Sequence, residues 1–203
     1  MLDTYKFIEK YKRISIIGME KNVGKTTLLN KLIADIGTNK KLGLTSIGRD
    51  GEDIDVVTNT DKPRIYVRRG SIIATGRNCL AKCDITKEIL YVTDFTTPMG
   101  SIVIVRALSD GYVDIAGPSY NKQVKIVVEL MEKFGSEISI VDGALGRKST
   151  AISDVSEATI LSTGAALSLD MLKVVEETKK TVYFLKLDEA EKNIKDRVEE
   201  LRD

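Results

Sequence analysis

The spacing of apolar positions divides this chain into short strands and amphipathic helices. Residues 14–17 form an apolar run that reads as a buried strand. A polar stretch follows, and then Leu28, Leu29, Leu32, Ile33 and Ile36 return at the spacing of one helix face, with Gly37 placed to end the helix. Residues 42–47 read as a second strand. From Pro63 the pattern becomes short and β-rich. Residues 64–67 and 71–74 flank Arg68-Arg69-Gly70, and 101–107 and 111–116 flank Leu108-Ser109-Asp110, so each pair predicts a hairpin. Between them Asp84 is placed to cap a helix carrying Ile85, Ile89 and Leu90, and 96–100 reads as a loop.

Helical period returns over 121–134, where Val124, Val127, Val128, Met131 and Phe134 share a face ahead of Gly135. Residues 137–141 and 158–162 read as further buried strands, a helix is expected from about Asp170, and 182–187 reads as a late strand. Residues 1–13 predict a short helix or arm anchored by Leu2, Tyr5, Phe7 and Ile8. From Asp188 the chain is charged, with an apolar stripe of Ala190, Ile194, Val198 and Leu201 that suits packing on the sheet or, alternatively, a partner. These elements predict an α/β fold: a mostly parallel sheet with helices on both faces and β-hairpin insertions or an antiparallel extension of the sheet. No internal repeat, low-complexity tract or long linker divides the chain, so residues 1–203 are expected to form one domain.

The polar stretch between the first strand and the first helix carries the most chemistry. It reads Gly18-Met19-Glu20-Lys21-Asn22-Val23-Gly24-Lys25-Thr26-Thr27. Strand, glycine-bounded loop and helix in that order make a phosphate-binding loop. Free N–H groups and the positive end of the dipole at the helix start face an anion. Gly18, Lys21, Asn22, Val23, Gly24, Lys25, Thr26 and Thr27 are therefore candidate nucleotide contacts. Lys25 reaches the terminal phosphates, as a catalytic residue, and the Thr26 hydroxyl is placed to ligate Mg²⁺. Five residues, not the common four, separate Gly18 from Gly24. That spacing resembles the dethiobiotin synthetase-like branch of P-loop proteins. A neighbouring ATPase branch has a second lysine early in the loop, where this chain has Glu20, so no second catalytic lysine is assigned.

Two acidic strand ends complete the candidate site. Residues 48–55, Gly48-Arg49-Asp50-Gly51-Glu52-Asp53-Ile54-Asp55, leave the second strand, and in doubly wound sheets ligands sit beyond the carboxyl ends of strands. Arg49 suits a phosphate, and Asp50, Asp53 or Asp55 suits Mg²⁺ or an attacking water. Asp50 and Asp53 are the catalytic candidates, with no order among the aspartates. Asp142 ends the strand over 137–141 and is the second metal candidate beside Thr26; Gly143 and Gly146 allow close approach, and Arg147 and Lys148 suit an anionic group. A guanine-reading loop would show Asn-Lys-x-Asp; Leu185-Lys186-Leu187-Asp188 lacks the Asn, which favours ATP.

Composition narrows the picture further. Apolar residues make up 42% and charged residues 30%, and the net charge is +1, which suits a soluble globular domain without a nucleic-acid surface. No apolar signal core or membrane-length stretch is present, so a cytoplasmic protein off the membrane is expected. The chain has no histidine, which excludes His-based acid/base, metal and triad chemistry. Cys79 and Cys83 alone make a poor zinc site and read as reduced thiols, with a redox or metal pair as the alternative.

Several longer segments point to a more specific family. Thr45-Ser46-Ile47-Gly48-Arg49-Asp50-Gly51-Glu52-Asp53 resembles the small subunits of lysine 5,6-aminomutase reactivase. So do Thr97-Pro98-Met99-Gly100, Val105-Arg106-Ala107-Leu108-Ser109-Asp110-Gly111-Tyr112 and Val141-Asp142-Gly143-Ala144-Leu145-Gly146-Arg147, and the resemblance spans about residues 12–180. The resemblance implies an ATP- and Mg²⁺-using subunit of a reactivating factor for an adenosylcobalamin-dependent aminomutase in lysine fermentation. Such a factor opens the mutase so that damaged cobalamin leaves. Its implied partners are the mutase, lysine 5,6-aminomutase, and a larger subunit resembling mismatch-repair ATPases. Dimerisation is expected by analogy with related P-loop proteins. The alternatives are a dethiobiotin synthetase-like ligase or kinase and a nucleotide-binding module without turnover.

Overall fold

The computed structural model describes residues 8–48, 54–55, 60–61, 64–143 and 155–187. In chain order the elements are β1 (Arg13–Gly18), α1 (Lys25–Ile36), β2 (Leu42–Ser46), β3 (Ile54–Asp55), β4 (Thr60–Asp61), β5 (Ile65–Val67), β6 (Ile72–Gly76) and the one-turn α2 (Arg77–Leu80). They continue with β7 (Lys87–Thr97), β8 (Gly100–Ala107), β9 (Gly111–Val113), α3 (Asn121–Lys133), β10 (Ile138–Asp142), β11 (Ala158–Ser162) and α4 (Met171–Leu185).

Seven strands form the main sheet in the order β11-β1-β10-β2-β6-β8-β7. The first five run parallel, and β8 and β7 extend the sheet antiparallel beside β6. The fold is α/β with a mostly parallel sheet, as the alternation of periods predicts. β1 lies inside it, with β10 on one side and β11 on the other.

Alternation along the strands sorts the core into two layers, because successive side chains of a strand point to opposite faces. On one face Ile14, Ile16, Leu44, Ile73, Val103, Val105 and Ile140 pack with Leu29, Leu32, Ile33 and Ile36 of α1. On the other, Ile72, Ala74, Ile102, Ile104 and Val141 pack with Val124, Val127, Val128 and Met131 of α3. α1 and α3 thus cover opposite faces with the apolar stripes their spacing predicts. Ile8, one of the expected N-terminal anchors, is buried in the α1 layer. Leu2, Tyr5 and Phe7 lie outside the described residues, as do Ala190, Ile194, Val198 and Leu201.

Four expectations are corrected. Residues 64–67 and 71–74 are not a hairpin: β5 pairs with β9, and β6 pairs with β2 and β8. β6 is buried on both faces and belongs inside a sheet, whereas β5 buries only one face; the turn at Gly70 (φ 92°) passes the chain between two sheets. Residues 101–107 and 111–116 likewise part company, since Asp110 Oδ1 accepts from the N–H of Arg69 at 2.8 Å and β9 turns to β5. The main-sheet hairpin is β7 with β8, closed where a loop was expected at Pro98 and Met99. Of the two expected arrangements, the antiparallel extension is the one found.

No helix follows Asp84. Its carboxylate is held by Arg64 Nη1 at 2.6 Å, and Ile89 and Leu90 lie in β7, where a β-branched and aromatic run prevails over helical spacing. Residues 182–187 are not a strand: α4, capped by Asp170 accepting from the N–H of Leu172, propagates through Leu185.

Candidate functional site

The loop after β1 is shaped by two left-handed residues. Gly24, with φ 87°, is the N-cap of α1, and its carbonyl starts the helix by accepting from Leu28 N–H at 2.9 Å. Asn22 also has positive φ, at 59°, a conformation Asn tolerates better than most residues. No side chain caps α1. The N–H groups of Lys25, Thr26 and Thr27 belong to the first turn and have no intrahelical acceptor, so they present donors and the positive helix end to the loop.

Lys25 folds back over this loop. Its Nζ donates to the carbonyl of Glu20 at 3.3 Å. A Cβ on Gly18 would stand 2.7 Å from Lys25 Nζ and 2.8 Å from Val23 Cγ2, so only glycine leaves room for the folded lysine. Glu20 faces its own neighbour, its carboxylate accepting from Lys21 N–H at 3.0 Å. The loop is tied to the sheet by Met19 N–H, which donates to the carbonyl of Ser162 at the end of β11 at 2.9 Å.

Asp142 stands one strand away. It pairs in register with Ile16 of β1 and Ser46 of β2, at the carboxyl end of the parallel strands. Burial pushes its carboxyl up to about 6, and the Lys25 ammonium offsets part of that rise. Its backbone fixes the neighbouring strand ends: its carbonyl accepts from Ile47 N–H, and Gly143 N–H donates to the carbonyl of Ile16, both at 2.8 Å. Beyond β2, Ser46 Oγ accepts from Gly117 N–H at 2.9 Å and Gly48 takes φ 60°.

The structure therefore brings together Gly18, Lys21, Asn22, Val23, Gly24, Lys25, Thr26 and Thr27 on one loop, with Asp142 alongside. Among the described residues no group of three or more His, Cys, Asp or Glu is placed to hold a metal. A cation here would be held by the Thr26 hydroxyl, Asp142 and the oxygens of a ligand, as suits Mg²⁺, which keeps several waters. Arg49, Asp50 and Asp53 lie outside the described residues, as do Gly146, Arg147 and Lys148. Asp55 lies in β3. Cys79 and Cys83 are not joined in a disulfide; Cys83 Sγ donates to the Cys79 carbonyl at 3.2 Å, and burial raises the Cys83 thiol.

Sequence reasoning missed the two carbonyls that organise the loop, of Glu20 and Ser162. Both act through backbone atoms, which leave no mark in residue identity. Among the described residues, no helix is long and apolar enough to cross a membrane. Comparison with known proteins returns no match among family models, curated proteins or solved structures.

Proposed function

We propose that this chain is a P-loop protein that binds ATP with Mg²⁺ and hydrolyses it. The observation that carries the proposal is Lys25, folded across Gly18 on an uncapped helix start beside the half-buried Asp142. The site fits the ligand chemically: first-turn N–H groups and an ammonium meet anionic oxygens, and a hydroxyl and a carboxylate meet the cation. Lys25 exchanges the Glu20 carbonyl for a phosphate oxygen, and Thr26 and Asp142 orient the cation. Mg²⁺ when bound supplies charge neutralisation at the phosphates. Asp50 or Asp53 orients the attacking water, and Arg49 meets phosphate.

The finer reading rests on the family resemblance. In it the chain is the small subunit of a reactivating factor for lysine 5,6-aminomutase, acting with a larger subunit resembling mismatch-repair ATPases. Nucleotide state alters the segments around Asp50 and Asp142, and coupling requires that those segments bind the partner with different affinity in the two states.

The test is phosphate release from ATP and GTP with Mg²⁺, for wild type and Lys25→Ala, with and without the mutase and large subunit. Lys25→Ala should weaken ATP binding by about a hundredfold or more. Intact binding in that variant sinks the site assignment. ATP turnover stimulated by the partners supports the reactivase. Partner-independent turnover on adding a small carboxylated amine points instead to a ligase or kinase, and retained nucleotide without turnover to a binding module.

A further inference from the structure

The half-buried positions of α4, Val174, Glu177, Thr178 and Thr181, mark the side turned to the rest of the described chain. Along the edge of that side runs an apolar seam of Met171, Val175, Val182 and Leu185, which are 74%, 45%, 36% and 48% exposed. With Thr178 at its centre the seam advances by four, three, four and three residues, the spacing of a helix that packs lengthwise on another helix. The Thr178 hydroxyl donates to the Val174 carbonyl at 2.7 Å and lies 3.0 Å from the Thr163 hydroxyl, so it needs nothing polar from that second helix. Leu172 falls to one side of the seam.

The chain itself supplies a matching stripe. Ala190, Ile194, Val198 and Leu201 recur at helical spacing directly after α4, whose C-cap is Lys186. Counted from Lys186, Val182 and Ala190 are each four residues away, and Thr178 and Ile194 each eight. Val175 is eleven away and Val198 twelve, and Met171 and Leu201 are each fifteen. In two antiparallel helices joined by a short turn, residues equally far from the turn meet at one height. A turn centred on Lys186 therefore sets the two stripes side by side, level by level.

Charge agrees with this occupant. Residues 171–187 carry four lysines against two glutamates, and residues 188–203 carry seven acidic side chains against four basic ones. A second α4 in the same place would set lysines against lysines.

We infer that residues 188–203 fold back as a helix antiparallel to α4 and cover its seam, with Val182 beside Ala190, Thr178 beside Ile194, Val175 beside Val198 and Met171 beside Leu201. None of these residues belongs to the nucleotide site, so the inference stands apart from the proposed activity.

The test is a disulfide trap in the full chain. Met171→Cys with Leu201→Cys is oxidised and digested, and mass spectrometry identifies the bond formed. The control is Lys173→Cys with Leu201→Cys, because Lys173 lies on the far side of α4 from the seam. The first pair should join within one chain at least about tenfold faster than the control pair. Independently, Ile194→Asp should speed hydrogen exchange at the Val175 and Val182 amides by about tenfold or more, with circular dichroism to confirm folding. Equal trapping of the two pairs overturns the inference. So does a bond that forms only between chains, or exchange in α4 that is indifferent to Ile194→Asp.

Discussion

At the scale of single residues, Asp142 holds a cost that the molecule bears near neutral pH. Its carboxyl lies at about 6 in the fold against an ordinary 3.8, so the folded state takes up a proton before the unfolded one does. Folding is penalised above pH 6, and the penalty is relieved as pH falls from about 6 to 3.8. Asp142→Asn should therefore stabilise the ligand-free protein at pH 8 by up to about 3 kcal/mol, and by little at pH 4. Urea denaturation at the two pH values checks this, and equal effects at both would mean the carboxyl titrates normally. The same variant should lose Mg²⁺-dependent ATP binding. The placement of Lys25 at a helix start and of Asp142 at a strand end was legible in the sequence because each follows from the local apolar pattern beside it. The lysine's resting place was not, because it lies on a carbonyl and above a missing Cβ.

At the scale of elements, two helices of similar apolar content behave differently. α3 buries Val124, Val127, Val128 and Met131, whereas α4 has no buried residue and leaves Leu172 75% exposed. Met131→Ala should cost about 2–5 kcal/mol by denaturation, while Leu172→Ala should change stability by less than about 0.5 kcal/mol. A large loss for Leu172→Ala would show that this side of α4 is packed in solution. Helical periodicity located α3, since it is local and needs only one face to bury; the helix expected from about Asp170 starts where α4 does, but its end over 182–187 was read as a strand. It failed for strand partners. Nothing near Arg68-Arg69-Gly70 says that β5 will leave β6 for β9, because that choice depends on which strands, far along the chain, need cover on both faces. Leading into β7, the spacing of Ile85, Ile89 and Leu90 matched a helix by coincidence with a bulged strand.

At the scale of the whole molecule, parallel pairing places the candidate site where strand ends converge. β1 has no main-sheet neighbours except β10 and β11. A chain cut after Gly135 should keep the β6–β8–β7 half of the sheet available but leave β1 unpaired and the loop unformed. It should bind no ATP and show no hydrogen-exchange protection at Ile14 and Ile16. Protection there would mean that β1 finds other partners. The α/β class and the main helices were readable from sequence because they follow from local period. The strand order was not, because residue period does not say which strands become neighbours.

The placement of β1 has a bearing on how the protein comes off the ribosome. Arg13 pairs with Ser139, and Ile14 with Ala158. Translation delivers the loop after β1 well before β10 and β11, the strands that flank β1. While residues 19–137 are made, at about 5–20 residues per second, the nascent strand waits without either sheet neighbour. The candidate site is thus begun before its scaffold exists, so a nascent chain stalled before Ser139 would carry the loop without the strands that hold it.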